Sequence, residues 1–154
     1  MPSGLRHAWA CGVVAGASAP VLLWTCGWQA ALACSLGAMA GVIIGPDLDC
    51  NTGSRSNYYL RKFAGIVVET LFRLYWKPYA LLVKHRSIWS HGPVLSTAIR
   101  LAYLGLLPTA LWLWAGLPVP RLESWMLWAI LGLGLSDGVH AALDWADSKL
   151  GGRL

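Results

Sequence analysis

Four long apolar runs, each bounded by polar residues, leave this chain few folds to adopt. They cover Ala8–Trp24, Trp28–Gly45, Pro93–Leu117 and Trp125–Trp145. Each is near or above the roughly 18 residues that an α-helix needs to cross the hydrocarbon of a bilayer. Backbone inside lipid must satisfy its own hydrogen bonds, and a helix does so within one segment. Composition agrees. Apolar residues make up 56% and charged residues only 12%, about half the roughly 25% charged fraction of a soluble domain. The expectation is an all-α integral membrane protein with four transmembrane helices, forming a single domain over residues 1–154.

The link Trp24-Thr25-Cys26-Gly27-Trp28 is short enough to make the first two runs a helical hairpin. A cleaved signal peptide competes with that reading, with Arg6 in its basic region and Ala17-Ser18-Ala19 at the cleavage site. The following run is equally apolar, however, and would lose its hairpin partner. Between the second and third runs the pattern changes. Over about residues 58–77, Arg61, Lys62, Glu69, Arg73 and Lys77 project to one side of a helix, and Phe63, Val67, Leu71 and Leu74 to the other. A basic amphipathic helix of this kind lies in the membrane interface, and Pro78 ends or kinks it. The four cysteines form no CxxC pair and imply no disulfide framework.

Twelve Lys and Arg against seven Asp and Glu give a net charge of +5. In a soluble chain this would suggest a nucleic-acid partner; here topology accounts for it and no such partner is expected. With four spans, both termini and the segment Pro46–Gly92 share one side, and nearly all the basic residues lie there, against Arg121 on the other. Basic flanks mark the cytoplasmic side, so both termini are expected in the cytoplasm.

The same topology gathers the polar chemistry. His7 precedes the first run, Asp47 and Asp49 follow the second, and His85 and His91 precede the third. Asp137, His140 and Asp144 close the fourth at i, i+3 and i+7, along one helix face. All these ends converge on one membrane rim. Imidazole and carboxylate are ligand types for zinc, manganese or iron. An Asp inside hydrocarbon needs a cation or a hydrogen-bonding network, and for Asp137 the two candidates are a metal ion and Arg100. Arg86 and Arg100 are candidate anchors for a substrate anion, with snorkelling of Arg100 towards the headgroups as the plainer alternative.

Met-Pro-Ser-Gly followed by His7, Gly45-Pro46-Asp47-Leu48-Asp49, Tyr75-Trp76-Lys77-Pro78-Tyr79, Lys84-His85-Arg86-Ser87, Ser90-His91-Gly92-Pro93, and Ser136-Asp137 with His140 carry a resemblance in order. Together they resemble a bacterial family of uncharacterised metal-binding membrane proteins, similar in turn to the membrane-bound metal-dependent hydrolases. The resemblance implies metal ligands at His7, Asp47, His85, His91, Asp137 and His140. The chain departs from the hydrolase pattern at Ser90-His91-Gly92, where Thr-His-Ser is usual, so metal binding is the firmer implication.

Three functions remain open at this stage. The first is a hydrolase acting on an ester or phosphoester, with a lipid as one candidate substrate. Zinc would be the leading metal, as one or two ions, and Asp49 or Asp144 the general base. The second is a non-catalytic metal protein serving as sensor or assembly factor. A transporter fits less well, because its ionisable groups would gather near the midplane rather than at one rim.

Overall fold

The computed structural model describes residues 4–50, 54–84, 87–92, 94–118 and 121–149. Among these, every regular element is helical: α1 (Gly4–Thr25), α2 (Trp28–Ala40), a 3₁₀ turn (Pro46–Asp49), α3 (Arg55–Leu82), α4 (Ile88–His91), α5 (Leu95–Trp114) and α6 (Ser124–Lys149).

Three of these helices, α1, α5 and α6, are long and apolar enough to cross a membrane, rather than the four expected. The second apolar run falls short as a helix, not in hydropathy. After 13 residues α2 gives way at Gly41 to turns in which Gly41, Val42 and Ile43 donate to carbonyls three residues back. Gly41, the β-branched Val42-Ile43-Ile44 and then Gly45-Pro46 are all poor helix formers. The chain still returns to its starting rim. From His7 to Thr25 α1 rises roughly 27 Å, α2 descends roughly 20 Å, and the looser residues 41–45 cover the remainder.

α2 lies between α1 and α6 and is built from small residues. Ala30, Ala31, Ala33, Cys34, Gly37 and Ala38 are buried. A Cβ on Gly37 would sit 1.9 Å from the carbonyl oxygen of Ala129, and one on Gly132 1.9 Å from that of Cys34. The two backbones therefore touch, as small residues permit between membrane helices. Cys11 and Ser136 meet at 2.9 Å nearby, tying α1 to α6.

The amphipathic helix expected over 58–77 runs further in both directions as α3. It breaks within itself at Gly65, whose φ of 88° only glycine adopts without strain. Pro78 does not end it. Phe63, Val67, Leu71 and Leu74 are exposed as expected, whereas Glu69, Trp76 and Tyr79 turn inward. Trp76 is core, packed with Leu48 of the 3₁₀ turn and with Tyr79. Tyr103 of α5 joins this cluster, and its hydroxyl donates to the Tyr75 carbonyl at 2.6 Å. The Tyr75 hydroxyl reciprocates towards the carbonyls of Tyr103 and Leu104 at 3.0 and 2.9 Å.

Candidate metal centre

Four segments deliver ligand-type side chains to one point. α1 contributes His7 from its first turns, the 3₁₀ turn contributes Asp47 and Asp49, α4 contributes His91, and α6 contributes His140 and Asp144. His140 Nε2 lies 3.5 Å from Asp47 Oδ1 and 3.4 Å from Asp144 Oδ2. His91 Nε2 lies 3.5 Å from Asp144 Oδ2 and 3.9 Å from Asp47 Oδ1, and His7 Nε2 3.5 Å from Asp144 Oδ1. Two overlapping triads result, His7–His140–Asp144 and Asp47–His91–His140.

These separations discriminate between hydrogen bonding and metal coordination. Good N–H···O hydrogen bonds measure about 2.7–3.2 Å. Ligands about 2.0–2.2 Å from a tetrahedral ion stand roughly 3.3–3.6 Å from each other. Most of the observed spacings fit the second description. His140 Nε2 is buried and without a hydrogen-bond partner among the described residues, though two carboxylates face it. An orphaned imidazole nitrogen costs stability unless something fills the gap, and a cation would satisfy nitrogen and carboxylates together. The His7 and His140 rings stack at 3.7 Å, a contact that disfavours charging both by protonation. The donor set fits a divalent ion.

His91 is held from behind. Ser90, fully buried, puts its hydroxyl 2.9 Å from His91 Nδ1, and Asp49 Oδ2 stands 3.6 Å from the same nitrogen. With Ser90 donating to the Lys84 carbonyl at 3.1 Å, its oxygen is left to accept Nδ1–H. His91 then presents the Nε2 lone pair to Asp47 and Asp144. A carboxylate or hydroxyl behind a ligating histidine is the usual means of fixing its tautomer. The segment expected as a loop is thus a single helical turn, α4, capped by the Ser87 N–H donating to Ser90 Oγ at 3.1 Å.

Electrostatics favour the ligating protonation states outside the spanning helices. Burial lowers the pKa of His91 and His140 adds to that, outweighing the raising effect of Asp49, so the neutral imidazole is favoured. Burial works against ionisation of Asp47, but the close imidazole of His140, with those of His7 and His91, outweighs it and holds the carboxyl below its usual range.

The remaining expected residues divide. Asp144, considered as a base, stands among the candidate ligands. Asp137, implied as a ligand, is instead bound by Arg100 Nη2 and by the Thr97 hydroxyl, one helical turn before His140. Arg100 is therefore no anchor for a substrate anion: it is fully buried and committed to Asp137. A guanidinium inside the bundle needs a counter-charge more than it needs a ligand. His85 and Arg86 lie outside the described residues.

Sequence reasoning missed Arg55. It lines a cavity of ≈ 20 Å³ together with His7, Cys11, Asp47 and His140, a volume that suits about one water. Its only local signal was its place directly after the N-cap Ser54, whose hydroxyl accepts from the Asn57 N–H at 3.3 Å. Asp147, buried one turn beyond Asp144, was missed as well.

No curated protein and no solved structure shows significant similarity to the chain. The region that matches a known family takes in His7, Asp47, Asp49 and His91 and stops before α6, so His140 and Asp144 enter the site on geometry alone. The chain belongs to the family described as uncharacterized metal-binding proteins (DUF2227), whose model matches residues 2–122.

Proposed function

We propose that this protein is a membrane-embedded metal-dependent hydrolase that cleaves an ester or phosphoester at the cytoplasmic face of a bacterial membrane. The observation that carries the proposal is the meeting of three imidazoles and two carboxylates, from four separate segments, at coordination spacing on one rim. His7, Asp47, His91 and His140 would hold the ion, and this mixed nitrogen and oxygen set suits zinc, with manganese or iron as alternatives. A divalent ion held there supplies Lewis acidity and makes water nucleophilic near neutral pH. Asp144, partly exposed beside these ligands, would serve as the proton acceptor for an attacking water. Asp49 and Ser90 keep His91 in its ligating tautomer, and Arg55 faces the anionic part of the substrate across the small cavity. The cytoplasmic placement rests on the basic residues gathered at the site's rim.

A non-catalytic metal protein is favoured by one observation, the size of that cavity, which takes a water but not a substrate. Elemental analysis of detergent-purified protein, paired with hydrolysis of a short-chain aryl ester and an aryl phosphoester, separates the two. Stoichiometric metal that is lost in His91→Ala, together with turnover, supports the hydrolase. Metal without turnover leaves the non-catalytic reading, and a wild type without metal ends both.

A further inference from the structure

α5 and α6 leave a groove of ≈ 380 Å³ between them. Its walls are Val94, at the N-cap of α5, Ala98 and Leu101 of α5, and Ile130, Leu131 and Leu135 of α6. The one hydroxyl in the lining, on Thr97, is already bonded to Asp137, so the groove offers an occupant little but apolar surface. Both walls belong to helices long and apolar enough to span the membrane. The groove is therefore continuous with the face these helices turn to lipid, where Val94, Leu131 and Leu135 are exposed.

The groove also has a direction. Its rim end is Val94, three residues along the chain from His91, and its deep end is Leu101 and Ile130. The distance from Val94 to Leu101 along α5 is roughly 10 Å. Charge is distributed to match: the groove is uncharged, while Arg55 lines the small cavity with His7, Asp47 and His140, and Arg6 and Lys149 fall in the ends of α1 and α6 that carry His7 and Asp144. A molecule suited to both halves has a hydrocarbon tail and an anionic head joined near an ester or phosphoester.

Resting on the hydrolase reading above, we infer that the substrate is an anionic membrane lipid, one acyl chain lying in the α5–α6 groove and its head group at the metal centre. Lateral entry from the bilayer explains how a substrate reaches a site whose own cavity admits only a water. Thr97 links the two halves, since it lines the groove and holds Asp137 one turn from His140.

The test uses full-length, metal-loaded protein in nanodiscs of phosphatidylglycerol and phosphatidylcholine. A phosphatidylglycerol carrying a photoactivatable acyl chain should crosslink to α5 and α6 in the wild type. Gly134→Leu adds a side chain to the groove from a position with open space around its Cβ; Ala98→Phe is a second filling variant. Both should cut crosslinking and the ratio of long-chain to short-chain ester turnover by about tenfold, the effect of losing roughly two buried methylenes. Leu107→Phe, exposed on α5 outside the groove, should keep the wild-type pattern. Crosslinking that is equal in wild type and filled variants overturns the groove assignment, even where short-chain turnover is robust. Groove-dependent crosslinking without turnover of any ester or phosphoester instead removes the hydrolase reading and leaves a lipid-binding groove.

Discussion

The seam of α1, α2 and α6 and the arm formed by α3 and α5 are held together by opposite means. In the seam, glycine and alanine let backbones touch, and short links between small side chains such as Cys11 and Ser136 supplement that packing. In the arm, directional bonds do the work: the reciprocal Tyr75–Tyr103 pair, the Trp76–Tyr79–Tyr103 cluster, and Arg100 reaching across to Asp137. The metal centre draws on both regions, His7, His140 and Asp144 from the seam and His91 from the turn that feeds α5. A contact made by close packing tolerates no added atom, whereas one made by polar anchors tolerates no missing partner.

The largest effect is expected where an anchor is cut. Arg100→Ala leaves Asp137 buried without its counter-charge and should cost about 3–5 kcal/mol in thermal unfolding. Replacing both residues by leucine should recover most of that loss; a double variant as unstable as the single one would mean that the pair does more than neutralise itself. His140→Ala removes the imidazole shared by both triads and should lower metal affinity by about two orders of magnitude or more, roughly 3 kcal/mol, by competition with a chelator. Gly132→Ala should cost about 1–3 kcal/mol, because its Cβ would press on the Cys34 carbonyl and force α2 and α6 apart. A neutral result there would remove the distinction between seam and arm. Tyr103→Phe, which deletes one hydroxyl bond to the Tyr75 carbonyl, should cost only about 1 kcal/mol and leave metal content intact.

pH acts more gently. A histidine whose pKa is lower folded than unfolded, as for His91, penalises the fold as acid is added. Metal-free protein should therefore lose stability as pH falls below about 6.5, and loaded protein should release its ion only at lower pH, because the ion and the proton compete for the imidazole. Asp47, held low, should lose its contribution only further down, below about pH 4. Tracking metal affinity and unfolding temperature together across this range checks both, and an affinity that does not weaken as pH falls would contradict imidazole ligation.

The rim convergence was legible in the sequence because it depends only on how many times the chain crosses and where its polar residues fall. His7, Asp47, His91 and His140 met as expected. Hydropathy alone did not show where α2 ends: Val42, Ile43 and Ile44 are as apolar as any spanning residue yet belong to turns. Nor could Arg100 be assigned, since its pairing with Asp137 depends on the register between α5 and α6, which no periodicity within either helix encodes. Arg55 escaped notice for the same reason, as its relation to His7 and Asp47 exists only once α3 is set against the rim.

The early end of α2 has a consequence for the surrounding bilayer. Its 13 residues give roughly 20 Å of helix beside neighbours matched to about 30 Å of hydrocarbon. In a bilayer that flank would thin the leaflet or let water dip inward, because residues 41–45 complete the descent as turns rather than as regular helix. Either response brings the aqueous boundary down towards His7, Asp47 and His140. Membrane thickness thus becomes a control on the site, and shorter-chain lipids, which relieve the mismatch, should raise both solvent access and the rate of metal exchange.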